Sequence, residues 1–282
     1  MTSPDEPFPP SDRPPSTDAS SPGEAAAIDE GPLPRYPIVL VHGLLGFVRQ
    51  TVTRLLSFAY FQGVEDALSE AGIEVHSVSL PPTGGVESRA QALASAVEAL
   101  GAARVNLVAH SMGGLDARWY VGRLGGGAHV ASLTTLSTPH RGTAVADWGT
   151  HRVGRALSAM RLLRDAGLDA DAFDDLTRSA CDERNELLAG APEVPTFSYG
   201  AARPWWAISA PLLLSFRLLQ KAEGPNDGLV SVASARYGTY LGTLDADHFG
   251  ATGWSWTPPG IERFDHLAFY RGLAHDLARR GY

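Results

Sequence analysis

Short apolar runs alternate with longer amphipathic stretches along the chain from Arg35 onward. The runs are a few residues long and apolar at successive positions, which is typical of strands buried on both faces of a sheet. The stretches between them have a helical period, and residues 86–100 are the clearest example. Strands that alternate with helices in this way predict a largely parallel sheet covered by helices, which is the α/β class.

This pattern divides the chain into predicted elements. The predicted strands are residues 37–43, 74–80, 104–110, 130–136, 194–199 and 237–244. The predicted helices include residues 86–100, 115–124 and 267–280, and the last of these resembles a closing helix.

The first 34 residues differ in composition from the rest of the chain. They contain 9 of the 20 prolines, and seven acidic residues against the single Arg13. A stretch with so few large apolar residues cannot bury a core. We therefore predict a disordered acidic tail over residues 1–34 and one folded domain over residues 35–282.

Charge and cysteine content exclude several classes of protein. The formal net charge is −8, which argues against a nucleic-acid partner because phosphates attract basic surfaces. A single cysteine, Cys181, excludes an intrachain disulfide and a thiolate metal cluster. No zinc spacing or phosphate-binding loop occurs, so we expect no cofactor.

The sequence also bears on location. No basic start followed by an apolar run precedes Tyr36, which favours a cytoplasmic protein and leaves leaderless secretion open. The apolar run at residues 205–219 contains Pro211 and Arg217 and is too short to span a bilayer. We therefore expect no transmembrane segment.

A candidate nucleophile lies where the strand at residues 104–110 meets the following helix. Ser111 has Ala109 two residues before it and Gly113 two residues after it. Small residues at these positions fit the tight strand-turn-helix elbow that exposes a nucleophilic serine. Ala109 replaces the more common glycine, and its methyl group is usually tolerated.

An oxyanion formed at Ser111 requires backbone donors. Met112, the residue after the nucleophile, supplies one N–H group. The loop after the first strand, with the sequence His42-Gly43-Leu44-Leu45-Gly46, has glycines that let a second N–H turn inward. We expect that donor to be Leu44 and assign His42 a structural hydrogen bond.

A base and an acid must follow the serine if the order is serine, acid, histidine. Five histidines lie downstream: His140, His151, His248, His266 and His275. The first two leave little room for a strand and an acid, and the last lies in the predicted closing helix. His248 and His266 remain as candidates for the base.

Asp227 is the favoured acid because it lies in a turn-forming loop, Pro225-Asn226-Asp227-Gly228. Asp245, Asp247 and Asp265 are alternatives. The first two of these lie so close to His248 that no supporting strand could intervene. With Asp227 as the acid, the strand at residues 237–244 fits before His248.

Four blocks together carry a family resemblance. They are His42-Gly43-Leu44-Leu45-Gly46, Ala109-His110-Ser111-Met112-Gly113-Gly114, Ser137-Thr138-Pro139-His140-Arg141-Gly142-Thr143 and Asn226-Asp227-Gly228-Leu229-Val230. In this order they resemble the bacterial family I true lipases. The resemblance implies an α/β-hydrolase fold and hydrolysis of carboxylic esters, typically triacylglycerols.

The resemblance assigns the nucleophile to Ser111, the acid to Asp227 and the base to His248. It aligns His266 with the start of the last helix. Many members of the family also bind calcium through an aspartate just after the catalytic histidine. Here Phe249 and Gly250 follow His248, and no Asp or Glu lies between Pro195 and Gln220. We therefore predict no calcium at that position.

Residues 143–190 follow the strand at residues 130–136 and have apolar residues interleaved with charges. The resemblance favours a helical cap over the active site, while amphipathic helices packed permanently against the core would give the same pattern. An apolar cap face would suit a lipid–water interface.

The resulting functional hypothesis is a triacylglycerol lipase or carboxylesterase that acts on lipid or small ester substrates through an acyl-enzyme. A polyester depolymerase, a phospholipase or an acyltransferase would use the same three residues. A non-catalytic lipid-binding protein would keep the pocket without the chemistry.

Overall fold

The computed structural model describes residues 31–44, 46, 49–53, 56–151, 171–254, 256 and 259–282. Most of the predicted acidic tail therefore lies outside the described residues. The fold concerns the unit Gly31–Tyr282.

Eight strands occur in the described ranges. They are β1 (Ile38–Val41), β2 (Arg49–Thr53), β3 (Leu56–Ala59), β4 (Val75–Val78), β5 (Val105–His110), β6 (Val130–Leu136), β7 (Thr196–Ala201) and β8 (Thr239–Leu244). Six of them form one sheet in the order β4-β1-β5-β6-β7-β8, and every pair in it is parallel. This sheet confirms the α/β class predicted from the alternating pattern.

Helices connect the strands. They are α1 (Val64–Glu70), α2 (Val86–Ala99), α3 (Gly113–Arg123), α4 (Ala144–His151), α5 (Asp171–Asp174), α6 (Arg178–Leu187), α7 (Leu213–Ala222), α8 (Val232–Ala235) and α9 (His266–Arg279). None of the helices in the described ranges combines the length and the apolar character that a bilayer crossing requires.

Helices cover both faces of the sheet, which explains why the central strands are buried along their whole length. Every residue of β1, β5 and β6 is buried. On one face α2 and α3 pack through side chains such as Leu93 and Leu115. On the other face α1 and α9 pack through side chains such as Leu68 and Leu273. A strand buried on both sides has no solvent-facing side, so its residues need not alternate in polarity. Polar side chains in these strands bond inside the protein, as Ser132 Oγ does when it donates to Asn106 Oδ1 at 2.8 Å.

The β2–β3 hairpin is antiparallel and stands outside the main sheet. The sequence contains no pattern that predicts this hairpin. Arg49–Thr53 contains a single apolar residue, so no apolar run marks this strand.

A buried ion pair connects α2 to α3. The Arg89 side chain is fully buried, and its Nε donates to Asp116 Oδ2 at 2.8 Å. Its two terminal nitrogens donate to the carbonyl oxygens of Pro81 and His42, each at 2.7 Å. Burial raises the pKa of Asp116 to about 7, although Arg89 opposes that shift. One side chain thus ties the end of β1 to two helices.

Replacing Arg89 with methionine should lower the free energy of unfolding by about 3–5 kcal/mol, because the Asp116 carboxyl would be left buried without its partner. The double variant Arg89→Met with Asp116→Leu should recover the part of that loss that comes from the unpaired carboxyl, while the carbonyl groups of Pro81 and His42 still lack the Arg89 donors. Urea unfolding of both variants measures the difference.

The control for this prediction is Arg178→Met, which breaks an exposed pair between Arg178 and Asp147. Exposed pairs contribute less than about 1 kcal/mol. Equal losses in Arg89→Met and Arg178→Met would contradict a special role for the buried pair.

Candidate active site

Ser111 lies in the sharp turn between β5 and α3. Its φ is 56°, in the left-handed region that side chains other than glycine rarely adopt. In the described part of the chain, Ser137 is the other non-glycine residue with positive φ. The Ser111 N–H donates to Leu136 O at 2.9 Å, and Thr138 Oγ1 donates to Ser111 O at 2.8 Å. These bonds hold the strained turn in place.

The small residues after Ser111 are required because α3 begins directly against the end of β1. A Cβ atom at Gly113 would lie 2.7 Å from Val41 O and 2.8 Å from His42 O. A Cβ atom at Gly114 would overlap the Thr138 side chain. The two glycines therefore allow the helix to start immediately after the serine.

The structure brings Ser111, His248 and Asp227 together in one hydrogen-bonded line. His248 Nε2 lies 3.1 Å from Ser111 Oγ, and His248 Nδ1 lies 2.9 Å from Asp227 Oδ2. All three residues are buried, and Asp227 is 0% exposed. A carboxylate at Nδ1 fixes the tautomer that leaves Nε2 free to accept the serine proton.

Backbone groups hold the carboxylate of Asp227. Its Oδ1 accepts the N–H groups of Leu229 at 2.9 Å and Val230 at 2.8 Å. Its carbonyl oxygen accepts the His248 N–H at 2.9 Å. The two loops that carry the acid and the histidine are thus bonded to each other through side chains and backbone.

The loop after β1 passes directly beside the serine. A Cβ atom at Gly43 would lie 2.7 Å from Ser111 Cβ and 2.8 Å from the Tyr60 hydroxyl. Only glycine fits so close an approach, and Leu44 is the next residue. Met112 is the N-terminal cap of α3, and the first N–H groups of a helix have no acceptor within it.

The His42 ring holds the loop after β1 through two hydrogen bonds. The Leu80 N–H donates to His42 Nε2 at 3.0 Å, so Nδ1 carries the proton and donates to Gly43 O at 2.8 Å. Burial lowers the pKa of His42 to about 4. The neutral imidazole therefore has the structural hydrogen bonds that the sequence analysis assigned to it.

The half-buried Tyr60 and the buried His110 form a further pair that has no signal in the sequence. The Tyr60 hydroxyl lies 2.7 Å from His110 Nδ1, and the His110 ring centroid lies 4.6 Å from that of His248. Burial lowers the pKa of His110 well below its usual range, and the neighbouring His248 adds to this effect. Tyr60 follows a hairpin with no sequence signal, so no spacing connected it to the serine.

A cavity of about 670 Å³ opens at the serine. Its lining is predominantly apolar. The lining residues include Leu44, Tyr60, Ser111, Val145, Trp148, Phe173, Leu176, Leu229, His248, Phe249, Trp254 and Trp256. A concave apolar site with a few convergent polar groups is suited to a ligand with an apolar chain.

The alternative acids and base have other partners. His266 Nε2 lies 2.7 Å from Gln62 O, and Asp265 caps α9 by accepting the Ala268 N–H. Asp245 pairs with Arg203. Each of these residues is engaged away from Ser111.

The residues near His248 do not fit a calcium site. The Asp247 carboxylate accepts the N–H groups of Ser209 at 2.8 Å and Gly250 at 2.7 Å. No Asp or Glu lies between Pro195 and Gln220 to act as an upstream partner. The absence of calcium remains a prediction.

Comparison with known proteins places this architecture in a family. A family model described as the alpha/beta hydrolase fold matches residues 36–188, more than half of the chain. The chain belongs to this α/β-hydrolase family. The strained turn at Ser111 and the loop after β1 both lie inside the matched region.

Individual relatives of this α/β hydrolase support the assignment. Triacylglycerol lipase 2 of Saccharomyces cerevisiae is 33% identical over 255 residues, which are 82% of this chain and 76% of that protein. A triacylglycerol lipase of Vibrio cholerae is 41% identical over 117 residues, which are 40% of this chain and 35% of that protein.

Solved structures of low identity share the fold. The mature form of a Bacillus licheniformis lipase superposes with a TM-score of 0.61 at 23% identity, covering 80% of this chain and 89% of that chain. At this identity, the similarity indicates the fold of the α/β hydrolase and nothing about its substrate.

The low pKa of His42 predicts how stability depends on pH. The unfolded chain protonates this histidine near pH 6.5, whereas the folded protein does so only near pH 4. Stability from this residue is therefore complete above about pH 6.5 and is lost as the pH falls toward 4. At about pH 5 the loss should be about 2 kcal/mol.

The variant His42→Gln keeps one donor and one acceptor but cannot titrate. Its free energy of unfolding, measured with urea, should therefore fall less between about pH 8 and about pH 5 than that of the parent protein. The exposed His76, changed to glutamine in the same way, is the control. An unchanged pH dependence in His42→Gln would contradict the assignment.

Proposed function

We propose that this protein hydrolyses carboxylic esters of lipids through a serine nucleophile. One observation carries the proposal: His248 lies within hydrogen-bond distance of Ser111 Oγ on one side and of Asp227 on the other. A serine hydroxyl is a weak nucleophile without such a base.

In the first step Ser111 Oγ attacks the ester carbonyl carbon while His248 Nε2 takes its proton. Asp227 stabilises the imidazolium cation that forms. The carbonyl oxygen becomes an oxyanion, for which the N–H groups of Leu44 and Met112 are the proposed donors. His248 then donates the proton to the leaving alcohol, and an acyl group remains on Ser111.

In the second step water attacks the acyl-enzyme, again with His248 as the base. The oxyanion collapses, Ser111 recovers its proton, and the carboxylic acid leaves. Every proton in this sequence moves through His248, so no cofactor is needed.

The substrate class follows from the cavity and the relatives. The apolar lining around Ser111 suits an acyl chain better than a polar group. The yeast relative, which matches most of this chain, is named a triacylglycerol lipase. We therefore assign lipid esters, with acylglycerols as the principal candidates.

Resemblance to the bacterial family I lipases refines this proposal. The supporting observations are the four sequence blocks and the bacterial triacylglycerol lipases that match part of the chain at 37–41% identity. The cap proposed over residues 143–190 is supported by Trp148 on α4, Phe173 on α5 and Leu176, which all line the cavity. Residues 152–170 of this segment lie outside the described ranges.

Ser111→Ala and His248→Ala should each lower kcat for p-nitrophenyl butyrate by roughly 10³-fold or more, as with triad residues generally. Thermal unfolding checks that both variants are folded. His266→Ala is the control, since its ring bonds to Gln62 O and not to Ser111. Loss in His266→Ala with full activity in His248→Ala would overturn the assignment of the base.

A calcium chelator should leave this hydrolysis unchanged, because the Asp247 carboxylate already accepts two backbone N–H groups. The measurement is the initial rate with and without the chelator on dialysed enzyme. A rate that falls with chelator and returns on adding calcium would contradict the prediction.

A further inference from the structure

Exposed large apolar side chains concentrate on one part of the described surface. Seven such side chains are more than about two fifths exposed in the described ranges. Five of them belong to three segments around the cavity: Trp148 on α4, Trp205, Trp206 and Leu214 before and on α7, and Trp256. Clustered exposed apolar residues of this kind mark interaction sites.

The segment from residue 204 to residue 214 is exceptional because all of its exposed residues are apolar. They are Pro204, Trp205, Trp206, Ala210, Pro211 and Leu214. The two tryptophans are 57% and 55% exposed and Leu214 is 71% exposed. We call these six residues the tryptophan surface.

The segment that carries the tryptophan surface packs against residues of the active-site cavity. On its inner side, Ile208, Leu212 and Phe216 pack against Phe249, which follows His248 and lines the cavity. The Ser209 N–H donates to Asp247, and Ser209 Oγ accepts the Trp256 N–H at 3.2 Å. The surface thus continues into the cavity rim, where Trp256 is 52% exposed.

Basic side chains border the tryptophan surface. Arg217 and Lys221 are exposed and lie three and seven residues after Leu214, on the same side of α7. Residues 195–220 contain no Asp or Glu, although the chain as a whole has a net charge of −8.

Two acids on adjoining described segments are paired with arginines. Asp245 pairs with Arg203, and Asp147 pairs with Arg178. Glu223 accepts the Ala144 N–H and the Ser231 hydroxyl. Glu223 keeps its negative charge in these contacts, and Arg217 and Lys221 are exposed basic side chains beside the apolar residues.

We propose that the tryptophan surface, with Arg217 and Lys221, docks the protein on an anionic lipid surface. Tryptophan is favoured at membrane interfaces, where its ring enters the headgroup region. Basic residues beside it attract anionic headgroups. This arrangement would present the cavity mouth to the lipid, so the inference builds on the proposed function.

The test measures vesicle binding by sedimentation in the Ser111→Ala background, where no lipid is consumed. Vesicles of pure phosphatidylcholine are compared with vesicles of equal parts phosphatidylcholine and phosphatidylglycerol. The parent should prefer the anionic vesicles. Arg217→Gln with Lys221→Gln should lose that preference, by about fivefold in affinity for each charge removed.

Trp205→Ser with Trp206→Ser should weaken binding to both kinds of vesicle by at least about tenfold. Leu214→Ser is an independent variant in the same direction. Leu187→Ser removes a leucine of 54% exposure on α6 and is the matched control that should bind normally.

In enzyme that retains Ser111, the tryptophan variants should still hydrolyse soluble p-nitrophenyl butyrate, which shows that they are folded and separates docking from chemistry. Vesicle binding without any ester hydrolysis would overturn the proposed function and leave the docking inference standing. Normal vesicle binding by the tryptophan variants, no binding by the parent, or equal loss in Leu187→Ser would overturn the docking inference.

Discussion

The parallel pairing of β1 with β5 is the constraint on which the active site depends. Val41 and Ala109 lie opposite each other at the carboxyl ends of these strands. The loop after β1 and the turn that holds Ser111 therefore begin side by side. The distances at Gly43 and Gly113 show how little space separates the two backbones. A shift of register by one residue would move Ser111 away from the loop that carries Leu44.

Several buried polar side chains that take no part in the proposed reaction hold the loop after β1 and the turn at Ser111. Arg89 holds the carbonyl group of His42, and His42 holds the next residue through its own ring. Thr138, at the end of the neighbouring strand, holds the carbonyl group of Ser111. The strained φ of Ser111 is thus maintained by bonds from the end of β6 and the loop after it, while Arg89 and His42 hold the neighbouring loop after β1.

Sequence reasoning predicted the features that depend on local patterns. The strand at residues 130–136 agrees in both bounds with β6, and the helix predicted at 86–100 differs from α2 by one residue. Asp227 and His248 came from loop chemistry, chain order and family resemblance. The structure places His248 beside Ser111 and Asp227 beside His248. The strand and helix bounds follow from patterns within a few neighbouring residues. The site residues follow from loops that lie at the same edge of the parallel sheet.

The features that sequence reasoning missed depend on contacts between distant parts of the chain. Tyr60 and His110 are 50 residues apart, and Arg89 and Asp116 are 27 apart. Neither pair has a spacing that predicts contact. The apolar run at residues 205–219 presents a related difficulty, because its composition does not indicate which of its side chains are buried. Only the fold distinguishes Phe216, which is buried, from Leu214, which is exposed.

The most direct test of the central claim is covalent labelling with a fluorophosphonate, followed by mass spectrometry of the peptides. The serine oxygen displaces fluoride from phosphorus, so the label reports an activated nucleophile independently of any choice of ester. The account predicts one adduct, on Ser111, in the folded protein, with labelling abolished in His248→Ala. Labelling of another residue, or labelling of Ser111 that persists unchanged without His248, would contradict it.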